Sequence, residues 1–288
     1  MAENRTTTVS SADQTVRISR DQPTVVIGER INPTGRKRLQ AEIEAHDFTT
    51  VQEDARAQVQ AGARILDVNA GVPDGNEPDL ITAAIRAVRA VTDVPLSIDT
   101  AHPPALAAAL EIYEGKALVN SVNGETRSLE TMLPLVKEHG AAVIALCMDD
   151  DGIPDTPEKR LAVADKIIVR ATRLGIPIED IVVDPLVLTL SVDGNAAAVT
   201  LAATALIVRE FGVNITMGAS NVSFGMPDRP AINAAFMAMA IQAGLTCPIT
   251  NPLDPGLATA VLAADLAMGK DEWGERWITA YRSRRPAT

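Results

Sequence analysis

Eight times along this chain, a short run rich in Val, Ile and Leu gives way to a longer, Ala-rich stretch with helical spacing. The strand readings are 24–29, 64–69, 95–100, 117–122, 141–148, 181–186, 214–220 and 247–251. Between and after them lie helical readings at 49–61, 77–91, 103–113, 127–138, 157–173, 195–211, 230–243 and 257–268. Such alternation signals βαβ units around a parallel sheet. Eight units over about 250 residues is the size of a (β/α)8 TIM barrel of the α/β class. A doubly wound open sheet is the other architecture with this alternation, but GERINPTG after the first strand lacks the glycine spacing of a dinucleotide fingerprint.

Composition excludes several functions. Aromatic residues make up 3% and the formal charge is -11, with 37 acidic against 26 basic residues. That balance gives neither the basic surface nor the stacking platform that nucleic acid requires. Cys147 and Cys247 sit in separate apolar runs, so no disulfide framework or Cys-rich zinc site is expected. His46, His102 and His139 have no metal-ligand spacing and read as surface or helix-end residues. Residues 1–22 are polar, without the apolar core of a secretory signal, and read as a mobile arm or a short edge structure. Residues 230–253 carry no charge, yet Asn233, Gln242, Gly244, Pro248 and Asn251 favour a buried helix and strand over a membrane span. The expectation is a soluble, cytoplasmic protein.

The ends of the strands carry the functional signal. Glu29, Asn69, Asp99, Asn120, Asp184, Asn221 and Asn251 stand at or just past the C-terminal ends of seven of the eight, and Asp67 lies two residues before Asn69. The fifth strand ends instead at Met148. One such residue is more often a helix cap than a ligand-binding group. Seven together fit a polar ring at the mouth of a barrel, where barrel enzymes build their sites. The ring reads as carboxylates and amides with little positive charge. Asp67, Asp99 and Asp184 suit a hard divalent cation. The same groups suit a neutral heterocycle rich in N–H donors, such as a pterin, whose amino-pyrimidinone edge offers adjacent donors to a carboxylate. Residue types alone leave the two ligands open.

The segments VVIGERIN (25–32), GARILDVNAG (62–71), SIDT (97–100), LVNSVNGE (118–125), VVDPLVL (182–188), GASNVSFG (218–225) and RPAINAAFMAMAIQAGL (229–245) resemble the pterin-binding methyltetrahydrofolate:corrinoid methyltransferases. The folate domain of cobalamin-dependent methionine synthase is a more distant likeness, and dihydropteroate synthases share the barrel. The resemblance covers nearly all of residues 24–270 and makes 23–288 a pterin-binding barrel after the polar arm at 1–22. It implies that Asp99, Asn120 and Asp184 anchor the pterin edge and that Asn221 reaches the methyl-bearing nitrogen. Gly218, Ser220 and Arg229 match neighbouring pocket positions. Phe224 falls where a close relative has a polar residue. Glu29, Asp67, Asn69, Met148, Ile249 and Asn251 are further candidates around that pocket, with no metal site expected.

The resemblance further implies tetrahydrofolate or 5-methyltetrahydrofolate as substrate, cobalamin as methyl acceptor or donor, and a homodimer. The chain has no recognisable corrinoid-binding segment, because His102 lacks the Asp-x-His-x-x-Gly arrangement, so the corrinoid is expected on a partner protein or free. Methyl transfer from a tertiary amine needs a proton or hydrogen bond at the departing nitrogen, and Asn221 supplies a hydrogen bond but no proton. Two other readings compete: a dihydropteroate synthase-like enzyme, and a pterin-binding subunit without catalysis.

Overall fold

The computed structural model describes residues 2–284. Its centre is an eight-stranded parallel sheet: β3 (Ile27–Ile31), β4 (Ile65–Val68), β5 (Leu96–Asp99), β6 (Leu118–Asn123), β7 (Ala142–Leu146), β8 (Ile181–Asp184), β9 (Asn214–Ile215) and β10 (Ile249–Thr250), after a hairpin of β1 (Thr7–Ser10) and β2 (Thr15–Ile18). From β3 to β9 each strand pairs with the next in sequence, and β10 pairs with β3. The seam between β9 and β10 is joined at Gly218 and Ile249 and by the bond from the Ile249 amide to the Met217 carbonyl, 3.0 Å. The sheet therefore curls into the expected TIM barrel.

Strands such as ILDV (β4) and IVVD (β8) are buried along their whole length, as parallel strands with side chains on one face and helices on the other must be. The helices follow the sequence reading closely at Thr49–Gln60, Glu77–Arg89, Pro103–Ile112, Pro157–Arg173, Ala196–Phe211, Arg229–Ala243 and Pro255–Ala267. Five of these carry Pro in the first turn, where the missing N–H has no intrahelical partner to lose. The reading at 127–138 divides into Thr126–Thr131 and Leu133–Glu138, because Pro134 can only open a new helix. Lys37–Glu44 and Glu275–Ser283 are additional helices. The uncharged stretch 230–253 is a helix of 15 residues and a short strand, and no helix among the described residues is long and apolar enough to cross a membrane.

The N-terminal segment takes an ordered form. The β1–β2 hairpin closes the floor of the barrel: Val9, Val16 and Ile18 pack into one cluster with Ile27, Ile65, Leu118, Ile144 and Val182 from inside it. Asn214 at the start of β9 ties the hairpin down, donating to the carbonyls of Arg5 and Ile18 and to Thr7 Oγ1. Polar residues dominate this segment because only alternate side chains face the barrel, which masks the apolar ones in a composition count. Ile18→Ala should lower unfolding free energy by about 2–4 kcal/mol in a denaturant titration while leaving ligand affinity at the opposite end of the barrel unchanged.

Candidate functional site

A cavity of about 500 Å³ opens at the C-terminal ends of the barrel strands. It gathers Glu29, Asp67, Asp99, Asn120, Asp184, Gly218, Ser220, Asn221, Arg229 and Ile249, ten of the residues expected from sequence. A larger cleft of about 650 Å³ lies in the loop after β7, lined by Asp149, Ile153, Lys159 and Lys166. It collects none of the expected residues, so the strand-end cavity is the candidate site.

The carboxylates on its floor are held in a hydrogen-bonded row. Asp67 Oδ1 accepts from Ser97 Oγ at 2.6 Å and from Asn120 Nδ2 at 3.1 Å. Asp99 Oδ2 accepts from Asn69 Nδ2 at 3.1 Å. Asp67 and Asp99 lie close enough to titrate together, and burial first, then mutual repulsion, drives the Asp67 carboxyl well above the ordinary range. Burial also pushes Asp99 up to about 6. A pair in this state favours one shared proton over two charges.

Asp184 is set by the chain that follows it. Its Oδ1 accepts the Leu186 amide at 2.7 Å, with Leu186 in the left-handed region at φ 69°. Arg160, only 1% exposed, clamps that turn by donating to the carbonyls of Pro185 and Leu186 and to Thr200 Oγ1. Burial raises Asp184 to about 7, against the pull of the Leu186 amide and the Arg160 charge. A buried Arg whose donors all meet neutral oxygens leaves its charge as the counterweight to the Asp184 carboxylate.

The opposite wall comes from the short 3-10 helix Ala219–Ser223 after β9. Gly218 lets it fold close, since a Cβ there would stand 3.0 Å from Asn221 Nδ2. Arg229 braces the loop from Nε to Ser223 Oγ and from Nη2 to the Ser220 carbonyl, and its guanidinium lies over Phe224. On the third side, Gly28 leaves room for Gln58, whose Oε1 accepts the Arg30 amide at 2.8 Å where the β3–β4 register shifts. That shift carries Glu29 and Arg30 to the cavity.

Four expected residues fall outside the lining. Asn69 supports Asp99 and closes a turn by accepting the Gly71 amide. Asn251 likewise accepts the Leu253 amide. Asn69, Asn251 and in part Asp184 thus close turns and do not cap helices. Met148 lies in a neighbouring cleft with Arg127 and Met132, and Phe224 is 67% exposed beneath Arg229. The estimate of little positive charge is corrected: Arg30, Arg36 and Arg229 all reach the cavity, with Asn32 and Thr34 from the same loop. Arg30 and Arg36 are visible in GERINPTGR (28–36), and Arg229 is already among the expected pocket positions. Among the described residues no group of three or more His, Cys, Asp or Glu is arranged to hold a metal ion.

The profile of the pterin binding enzymes matches residues 28–251, from within β3 to just past β10, and takes in every residue that lines the cavity. The chain belongs to the pterin-binding enzyme family. Within reach of this pterin-binding enzyme in sequence is the methylcorrinoid:tetrahydrofolate methyltransferase of Eubacterium limosum, 30% identical over 90% of this chain and 96% of that protein. The methionine synthase of Mycobacterium leprae (strain TN) is 31% identical over 84% of this chain, which corresponds to only 21% of that longer protein. In fold, the dihydropteroate synthase of Xanthomonas albilineans solved with 4-aminobenzoic acid superposes with a TM-score of 0.68 at 20% identity, covering 92% of this chain and 99% of that one. The Yersinia pestis dihydropteroate synthase gives 0.63 at 18% identity, over 91% and 99%. Those two likenesses concern the barrel.

Asp184 makes the electrostatics testable. Its carboxyl rises from an ordinary 3.8 to about 7 on folding, so the folded protein binds more protons between these values. The contribution is fully present below about pH 4 and is lost as pH rises through 7. The stability of the unliganded protein relative to Asp184→Asn should therefore fall between pH 4 and 7.5 in denaturant titrations. A pH-independent difference would contradict the assignment.

Proposed function

We propose that this pterin-binding enzyme moves a methyl group between 5-methyltetrahydrofolate and a reduced corrinoid, free or held by a separate protein. The observation that carries the reading is a single cavity in which Asp99 and Asn120, on β5 and β6, stand across the barrel from the Asn221 amide on the β9 loop, with Asp184 of the intervening β8 on the wall between them. A pterin is polar in the same sense. Its amino-pyrimidinone edge donates several N–H groups, and its methyl-bearing nitrogen lies on the other ring. Ionised Asp99 and Asp184 accept from that edge, and Asn120, held by Asp67, supplies an oriented amide.

A cavity of about 500 Å³ suits one small ligand. A corrinoid, several times larger than a pterin, meets this cavity from outside and is a second substrate rather than a resident group. When it approaches, it supplies the nucleophile that takes the methyl carbon. The chain's own residues orient the pterin and stabilise the nitrogen as the carbon–nitrogen bond breaks. The amide of Asn221 meets a neutral, crowded nitrogen in the ground state and one gaining charge in the transition state, so the contact strengthens as reaction proceeds. The E. limosum relative supports this chemistry by name. Its name gives one direction of transfer, while the same contacts serve both.

The proposal includes a homodimer and a cytoplasmic location. Met239 and Leu266 are exposed on adjoining helices, and Met268 and Trp273 are exposed in the segment that follows, apolar surface that a second copy would cover. Cys147 and Cys247 are free and buried, in keeping with a reducing compartment.

Asn221→Ala should lower single-turnover methyl transfer to cob(I)alamin by roughly a hundredfold or more, with a clearly smaller loss of methyltetrahydrofolate affinity in a direct titration. Equal losses would make Asn221 a binding group only. A chelator should leave transfer intact, because the carboxylates are assigned to ring donors. Activity lost to chelation and restored by magnesium or zinc would return Asp67, Asp99 and Asp184 to the cation reading.

A further inference from the structure

Four carboxyl groups line the cavity, and three are engaged by protein donors: Asp67 by Ser97 and Asn120, Asp99 by Asn69, and Asp184 by Leu186. The fourth, Glu29, is partly buried and makes no side-chain hydrogen bond among the described residues. Its charged neighbours are Arg30 on its own strand and Arg229 from the helix Arg229–Ala243. Arg229 in turn is fastened to Ser220 and Ser223, the residues that bracket Asn221. Barrel order adds the orientation. β3 lies two places from β9, with β10 between, while β5 with Asp99 lies directly across from β9. A flat ligand whose donor edge faces Asp99 and Asn120 thus presents its far ring to Asn221 with Glu29 at its flank.

Resting on the methyl-transfer reading above, we infer that Glu29 is the proton donor to the departing pterin nitrogen, and the acceptor of that proton in the reverse direction. As the nitrogen–methyl bond breaks, its electron pair stays on nitrogen while the methyl carbon bonds to the corrinoid nucleophile. The O–H of Glu29 gives its proton to that nitrogen, and the residue is left as a carboxylate. In reverse, the carboxylate takes the proton from the N–H nitrogen as the methyl arrives. The surroundings suit both states. Burial favours the neutral acid and raises its proton affinity, and Arg30 and Arg229 stabilise the carboxylate once the proton has left. An amide beside the same nitrogen holds it in line but has no proton to give.

The groups bearing on Glu29 are Arg30 of β3, Arg229 of the following wall and Asp67 of β4, with Arg36, Asp99 and Asp184 elsewhere in the cavity. Because the acid must be protonated, transfer out of methyltetrahydrofolate should slow as pH rises through its titration.

The test compares the unaltered protein with Glu29→Gln, which keeps shape and removes the acid. Three readings are taken on each: a methyltetrahydrofolate binding titration, single-turnover transfer to cob(I)alamin across pH, and transfer from a 5,5-dimethyltetrahydropterin. That donor's quaternary nitrogen leaves as a neutral amine and needs no proton. Glu29→Gln should bind methyltetrahydrofolate within about threefold of the unaltered protein, lose roughly a hundredfold in transfer and lose the alkaline decline. With the quaternary donor its deficit should shrink to within about threefold. Transfer indifferent to Glu29→Gln, equal losses in rate and affinity, or a deficit that persists with the quaternary donor would each overturn the role. No transfer by the unaltered protein would overturn the methyltransferase reading, and this inference with it.

Discussion

The burial of several carboxyl groups at one end of the barrel is the constraint on which the site depends. Eight parallel strands all point their C-terminal ends at the same mouth, so any acid placed there is brought against the others. Asp67 and Asp184 are 4% and 9% exposed. Removing charges from water at such positions is costly unless each finds donors or a proton. The structure uses both remedies. Ser97, Asn120, Asn69 and the Leu186 amide supply donors, while burial raises the proton affinities of Asp67, Asp99 and Asp184, with repulsion from neighbouring acids added at Asp67 and Asp99. Such a row accepts a ligand rich in N–H groups because the ligand completes what the protein leaves partly satisfied.

The rest of the molecule keeps that row in place. The hairpin fills the floor of the barrel with Val9, Val16 and Ile18, so the far end is free to hold a polar cavity. Arg160 fixes the turn after β8 through neutral oxygens, which sets where Asp184 points and supplies a charge of opposite sign. Gln58 holds the end of β3 against Gly28, and Arg229 holds the β9 loop. Each wall of the cavity is thus positioned by a polar side chain from a neighbouring helix or loop.

Much of this was legible in the sequence, for identifiable reasons. Runs such as ILDV and IVVD can be buried on both faces only in a covered parallel sheet, and their number set the barrel. PLSIDT and VVDPL ended strands on acids that do converge. Other features were hidden. The alternation in TTVS and TVRI is too short to stand out, and pairing across a turn is what makes it a hairpin. Arg30 near the end of β3 is held by Gln58, and Arg36 in the loop that follows is held by its ion pair with Asp54 at 2.7 Å, contacts that spacing does not display. Asn69 and Asn251 carry the same signature as Asn120, yet their side chains close turns. Asn120 lies within β6, whereas Asn69 and Asn251 stand one residue past the ends of β4 and β10.

The central claim is that one cavity both binds the pterin and activates its methyl-bearing nitrogen. It is tested most directly by anaerobic incubation of the unaltered protein with methyltetrahydrofolate and cob(I)alamin, following methylcobalamin by absorbance beside a binding titration of the same preparation. The account predicts saturable binding and catalysed transfer that is reversed when methylcobalamin and tetrahydrofolate are supplied instead. Tight binding of methyltetrahydrofolate without transfer to free or protein-bound corrinoid in either direction would contradict it.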